Sequence, residues 1–489
     1  MTAPVSLRRG VAWLFAGSAG EQLLSFAFGI VLARLLAPEA FGMLLTIQVF
    51  TGIAGFVAGG GMGQALVRAK APTKQDYDVV FTLQLLVGCA IYAFFFAIAP
   101  WLARWYDEPV YTDLLRLSAL SFVIRPLVNM PSNLLYREMR FKAQTAANVA
   151  TLVVSSAVSI GLAWRGDGVW ALVWGGLAGS LFQAAVLARL AHWRPGLSAE
   201  FRRAGDMARY GLLVSSNDLV DYAKSKANIF ILSQSLGPQS VGLFNKSESL
   251  ARMPFSFVSG SVYKVAFRAL AAEQDNLDKC RYVFQRSVAL VAVYGTPFYV
   301  GLHWVAGPLV RGVYGPHWLP AAAPLEILIF AWPFWLVANL CGAVAAAKDR
   351  LGRELQIQMI NLAITAAAVI VALPWGIAGV AWAMVVAAVP SALLMWRLAA
   401  SVLELRLADT LRALGPALAL NLPLAAALAL ADHLAPPALR AHDLLYVATL
   451  GGLGACVYLG AMLLLPLAEL AGERERLLRL LRRGAPART

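Results

Sequence analysis

Charge is scarce in this chain, cysteine and histidine scarcer, and the short signatures of enzyme chemistry are missing altogether. Only 14% of the 489 residues are Asp, Glu, Lys or Arg, well below the quarter usual for a soluble domain. There is no Gly-rich phosphate loop, no nucleophile elbow and no HExxH helix, so nothing points to an ATPase, an acyl-transfer enzyme or a zinc hydrolase. Any work must then draw on ion or substrate gradients. Cys89, Cys280, Cys341 and Cys456 are scattered in or beside apolar segments without CxxC spacing and read as small hydrophobes. His192, His303, His317, His433 and His442 share no helical spacing, which argues against a metal site.

What the chain has is apolar length. Hydrophobic residues make up 60% of it, the mean hydropathy is +0.66, and the apolar residues come in stretches long enough to cross about 30 Å of hydrocarbon. The expectation is an all-α polytopic membrane protein without a separate soluble domain. Windows of apolar residues place about fourteen transmembrane helices: 11–36, 43–66, 78–103, 112–134, 144–164, 168–190, 209–235, 241–265, 284–309, 322–346, 354–373, 377–399, 413–432 and 444–467. The opening MTAPVSLRRG has a basic start before an apolar run, as signal peptides do. That run continues through Arg34 without a small-residue cleavage site, so it reads as an uncleaved first helix.

The net charge of +14 is not gathered into one nucleic-acid-binding patch. Lys and Arg recur in every second loop instead: Arg8 and Arg9; Arg68, Lys70 and Lys74; Arg137, Arg140 and Lys142; Arg189, Arg194, Arg202 and Arg203; Arg268, Lys279, Arg281 and Arg286; Lys348, Arg350 and Arg353; Arg397, Arg406 and Arg412; and the tail from Arg474 to Arg488. The intervening loops (APEA, WYDEP, 165–168, LGPQS, YGPHW, PWG and LADHLAPPALRAHD) are short and poor in both residues. The positive-inside rule puts both termini in the cytoplasm, as an even number of spans requires.

One segment is echoed. LARLLAPEAFG at 32–42 returns as LSQSLGPQSVG at 232–242, so Leu32, Leu36, Pro38 and Gly42 correspond to Leu232, Leu236, Pro238 and Gly242, and Glu21 to Asp221. Each copy closes an apolar helix, turns outside the membrane and opens the next helix. Spans one to six and seven to twelve then form two parallel six-helix bundles, the repeat architecture of secondary transporters. The expected domains are 1–191, a cytoplasmic linker at 192–208, 209–400, two additional helices over 401–468, and a basic tail at 469–489 that reads as a solvated or membrane-surface helix.

Ionisable groups inside spans are costly and face a cavity or a partner. In span seven, Asn217, Asp221, Lys224 and Asn228 share one helical face, with Asp218 and Lys226 beside them. In span eight, Asn245, Ser249, Arg252, Ser256, Ser259 and Tyr263 do the same. These stripes either line a hydrated cavity or tie helices together through Asp221–Lys224 and Glu248–Arg252 pairs. Lys246 and Lys264, near span ends, either enter the cavity or snorkel, and Arg34 at the outer end of span one is read as snorkelling. Span one carries Ser18, Glu21, Gln22 and Ser25; span four carries Ser121, Arg125, Asn129 and Ser132. Arg125 lies mid-span with no acid within a turn, either as a cavity cation or as the partner of an acid such as Glu21. Gly55, Gly59 and Gly63 form a GxxxGxxxG row that serves close packing or bending.

LARLLAPEAFGM, the GGGMGQALVRAKAPT run, WYDEPVYTDLLRLSALSFVIRPLVNMPSNLLYREMRFK and SQSLGPQSVGLFNKSESLARMP are similar to the Wzx-type bacterial polysaccharide flippases. These belong to the MOP superfamily with lipid II flippases and MATE exporters; the likeness is greatest to the colanic-acid WzxC branch. It covers about residues 5–400. The resemblance implies a V-shaped pair of six-helix bundles around a central cavity. It also implies transport of undecaprenyl-pyrophosphate-linked oligosaccharide between the leaflets of the bacterial inner membrane, with polysaccharide polymerase and glycosyltransferases as partners and no cofactor.

A pyrophosphate cargo suits a cationic cavity, with Arg125, Asn129, Lys224, Lys226, Asn228, Lys246 and Arg252 as substrate-binding candidates. Glu21, Asp218 and Asp221 are candidates for H⁺ or Na⁺ coupling, and Gly55, Gly59 and Gly63 for gating or packing. A lipid II flippase or MATE-like exporter is the alternative, although an exporter of cationic drugs would carry more acid than base. A membrane glycan polymerase or ligase would need a larger polar outer loop than residues 432–443 provide.

Overall fold

The computed structural model describes residues 7–59, 62–68, 72–201, 205–467 and 470–483. It describes side chains throughout these except at 7–19, 56–57, 59, 64–65, 68, 205–221, 223–225, 261, 477 and 480–483. All regular structure among the described residues is helical. Eight helical stretches there are long and apolar enough to cross a membrane, the longest being Leu351–Leu403, which a short 3-10 turn at Leu373–Trp375 divides. The chain is a multi-pass helical membrane protein, and it divides into two compact units, Met1–Gly242 and Leu243–Thr489.

In the first unit, α1 (Leu7–Leu35), α4 (Lys74–Trp105), α7 (Phe141–Trp164) and α8 (Val169–Leu190) follow the expected spans closely. Span two is α2 (Pro38–Gly59) with α3 (Met62–Arg68), and span four is α5 (Val110–Ala119) with α6 (Ser121–Arg137). Helix α1 packs on α7, α7 on α8, and α6 on α3, α4 and α8. Spans seven and eight are the two arms of α9 (Gly205–Ala272), which bends at Gly237. Gly237 has φ 76°, a left-handed value that only glycine adopts cheaply.

The second unit starts within α9 and continues through α10 (Leu277–Tyr314), α11 (Ala322–Leu328), α12 (Trp332–Ala347), α13 (Leu351–Ala372), α14 (Gly376–Leu403), α15 (Leu407–Leu434), the short α16 (Pro437–Arg440), α17 (Asp443–Leu464) and α18 (Ala471–Arg483). Arg311 at the end of α10 forks onto Asp443 at the start of α17, with contacts of 2.8 and 2.6 Å.

Three helix prolines explain otherwise odd contacts. Proline has no N–H for the carbonyl four residues earlier, and in a membrane that carbonyl needs another partner. Pro100 frees Phe96, whose oxygen accepts Arg116 Nε at 3.3 Å. Pro297 frees Val293, whose oxygen accepts the Tyr458 hydroxyl at 2.5 Å. Pro126 frees Phe122, whose oxygen lies against Gly88 of α4 where any Cβ would collide with it.

Linker residues 192–201 lie along the start of α4. Trp193 packs edge-on against Phe81 at 5.2 Å, the Ser198 amide donates to Thr82 Oγ1 at 3.0 Å, and Gln75 Nε2 donates to Glu200 at 2.6 Å.

Candidate functional site

Helix α6 carries the polar stripe of span four. Arg125 is exposed along it, Ser121, Asn129 and Ser132 are half-buried, and apolar Ile124 and Met130 are buried away from it. A Cβ placed on Gly55 of α2 would lie 2.7 Å from Arg125 Nη1. The bare glycine therefore makes the room in which the guanidinium sits. One turn or more along, Gly63 of α3 meets the Asn133 amide in the same way, and Ser132 accepts Gln144 Nε2 at 2.9 Å. Two of the three glycines in the row thus pack against the polar face of α6. Gly59 is the last residue of α2, and its surroundings lie outside the described side chains.

Arg125 makes no ion pair among the described residues. Glu21, half-buried on α1, does not reach it, so the alternative in which Glu21 neutralises Arg125 has no support in the structure. The physical reason is packing, since α1 lies against α7 while α6 lies against α3, α4 and α8.

On the first arm of α9, Lys226 stands 5.9 Å from the ring centre of Tyr222, and the Tyr222 hydroxyl donates to the Gln48 carbonyl of α2. Asn228 is half-buried. The side chains of Asn217, Asp218, Asp221 and Lys224 lie outside the described residues, and with them the expected Asp221–Lys224 pair.

From Leu243 onward the second arm belongs to the second unit. Lys246 sits between aromatic rings, 4.6 Å from that of Tyr314 and 5.2 Å from that of Trp318. Arg252 Nε pairs with Glu248 at 2.8 Å, and its guanidinium stacks 4.5 Å from the Trp335 ring. The local pairing of Glu248 with Arg252 is therefore present. Even so, Ser249, Arg252 and Ser256 remain exposed along one face, while Ser259 is buried and bonded to Asn339 Oδ1 at 2.8 Å. Pairing and exposure coexist because Glu248 and Trp335 hold the guanidinium from two sides and leave its remaining N–H groups open. Lys264 is exposed at the far end of the arm.

The echoed turns touch. A Cβ on Gly42 would overlap the carbonyl of Pro238, and a Cβ on Gly242 would overlap that of Pro38. Around this contact, Phe50 packs against Trp105, Tyr106 and Phe230 at 6.1 to 6.4 Å, and the Tyr106 hydroxyl lies 3.0 Å from Ser233 Oγ. Burial raises the Tyr106 hydroxyl above the usual phenol range. Sequence reasoning found the glycines of this contact but missed its aromatic surround. It also missed Trp335, Tyr314 and Trp318, since aromatic residues in apolar windows carry no distinguishing signal.

A family model described as "Polysaccharide biosynthesis protein" matches residues 31–323, more than half of the chain and all of both echoed turns. The chain belongs to this family. "Lipopolysaccharide biosynthesis protein WzxC" of Escherichia coli (strain K12) is 23% identical over 329 residues, 66% of this chain and 66% of the relative. "Succinoglycan biosynthesis transport protein ExoT" of Rhizobium meliloti (strain 1021) is 21% identical over 328 residues, 67% and 64% of the two chains. The chain thus spans about two thirds of the length of these relatives. Among solved structures, "Lipid II flippase MurJ, inward closed conformation" superposes with a TM-score of 0.71 at 14% identity, over 92% of this chain and 97% of that one. An inward-facing multidrug resistance MATE family transporter of the MOP superfamily gives 0.61 at 15% identity, over 78% and 94%. The family's fold is therefore the helical fold of these transporters, as the sequence resemblance implied.

Proposed function

We propose that this chain is a flippase that moves undecaprenyl-pyrophosphate-linked oligosaccharide repeat units from the cytoplasmic to the periplasmic leaflet of the bacterial inner membrane, by alternating access, for exopolysaccharide, O-antigen or capsule synthesis. One observation carries the reading beyond family membership. Arg125, mid-span on α6, is exposed, lies against Gly55, and has no carboxylate partner among the described residues. A cation kept at membrane depth without a protein counter-ion serves an anionic cargo. Names of relatives from lipopolysaccharide and succinoglycan biosynthesis support a saccharide on that cargo.

In this reading Arg125, Asn129, Lys224, Lys226, Asn228, Lys246 and Arg252 bind the pyrophosphate and acidic sugars, while the lipid tail stays in the bilayer. The protein makes and breaks no covalent bond. Glu21, Asp218 and Asp221 couple transport to H⁺ or Na⁺. Residues 1–191 and 209–400 act as the two moving halves, with 401–468 an addition, both termini are cytoplasmic, and a polymerase takes the delivered units.

The test is the fate of lipid-linked repeat units in a deletion strain. Accumulation on the cytoplasmic leaflet, relieved by the wild-type gene, is the expected result. Units that reach the periplasmic leaflet but stay unpolymerised would identify a polymerase or ligase instead. Accumulated lipid II would identify a lipid II flippase, and altered drug resistance alone an exporter.

A further inference from the structure

The last helix, α18, stands apart from the transport reading. It follows α17 after a short connector whose Leu470 is 2% exposed. Its sequence, AGERERLLRLLRR, is strongly two-sided. At about 100° per residue, Leu477, Leu478, Leu480 and Leu481 share one side with Glu473 and Arg474, while Glu475, Arg476, Arg479, Arg482 and Arg483 occupy the other.

Glu473 is the only acid on the leucine face, and it is held from outside the helix. Its carboxylate accepts Arg286 Nη2 at 3.3 Å and the Tyr294 hydroxyl at 2.9 Å, both from α10. Its side chain is only 11% exposed, whereas those of Arg476 and Arg479 are about three-quarters exposed. The Glu473 side of the helix start is therefore turned toward α10, and the Arg476 and Arg479 side chains point away from it. Among the described residues, the ion pairs of Arg476 and Arg479 are with Glu473 and Glu475 of α18, at 3.4 and 3.1 Å. Residues 471–489 carry six arginines and two glutamates, so the intrahelical pairs leave most of the positive charge unmatched.

We propose that α18 lies in the plane of the membrane surface and binds the anionic headgroups of the cytoplasmic leaflet, with Glu473 as a strut that fixes its start to α10. Leucines enter the boundary between headgroups and acyl chains, and arginines along the rim take the phosphates. Because the strut ties α18 to α10, headgroup binding also sets the position of a transmembrane helix. The proposal rests on the spanning orientation given above and not on the identity of the cargo.

The experiment uses the full-length protein with its native cysteines replaced and a spin label at Leu478→Cys. The protein is reconstituted in vesicles of phosphatidylcholine alone or with one third phosphatidylglycerol, and collisions with oxygen and with a water-soluble nickel complex are compared. In phosphatidylglycerol the label is expected to gain oxygen contact and lose nickel contact severalfold, and 0.5 M NaCl should reverse much of this. Each arginine near an anionic surface contributes about fivefold to binding. The triple variant Arg476→Ala, Arg479→Ala, Arg483→Ala should thus weaken headgroup binding about a hundredfold and restore nickel contact. Glu473→Gln should leave the label membrane-bound but more mobile, which separates strut from lipid contact. Equal nickel contact in both lipids for the parent protein, with monodisperse elution as the folding control, overturns the proposal. These collisions are measured without transport, so they stand or fall separately from the flippase reading.

Discussion

At the scale of single residues, the chemistry concentrates on a few cations whose surroundings differ. Arg125 rests on a bare glycine, Arg252 is gripped by a carboxylate and an indole, and Lys246 lies between two rings. One charged hydrogen bond contributes about 1.5–3 kcal/mol. Arg125→Ala and Arg252→Ala should each therefore lower flipping by roughly tenfold or more with unchanged amounts of folded protein in the membrane, measured as polymer output against immunoblot. Wild-type output from both would end the assignment. Gly55→Ala should lower output in the same direction, because its methyl would sit within 2.7 Å of the Arg125 guanidinium and displace it. The cations were legible in the sequence because a charge inside an apolar window stands out against its neighbours. Their aromatic partners were not, since Trp335 and Trp318 in such windows look like ordinary core residues.

At the scale of elements, spans were legible and their corrections were not. Apolar length and turn residues give α4, α7, α8 and α17 to within about four residues at each end. Pro100 and Pro297 signal that a carbonyl will go unpaired, but not which side chain will come to it. Tyr458 is 165 positions from the Val293 carbonyl it serves, a separation that no local pattern reveals. Tyr458→Phe should destabilise the protein by about 1–3 kcal/mol, the cost of one buried carbonyl left unpaired. The loss would be read as a lower thermal midpoint in detergent. Pro297→Ala in the same background should recover part of it, since the helix then supplies its own N–H to Val293. Additive losses would show that Tyr458 acts elsewhere.

At the scale of the whole molecule, alternation of basic and non-basic loops predicts an orientation that labelling can check. Cysteines introduced at Arg8, Arg350 and Arg474 should resist a membrane-impermeant maleimide added to intact spheroplasts, while cysteines at Asp107 and His317 should react; the reverse pattern would invert the topology. The contact of Gly42 with Pro238 and of Gly242 with Pro38 makes a second global prediction. Gly42→Ala and Gly242→Ala open the same junction, so the double variant should cost less than the two single variants added together. Equal and independent losses would mean that each glycine serves its own helix. A junction in which a surface meets its own copy, each glycine facing the other's proline, is one that two identical molecules could also make. A side chain added at either glycine therefore meets a backbone carbonyl of the other turn, so the junction fixes the same residue type at both ends of the echo.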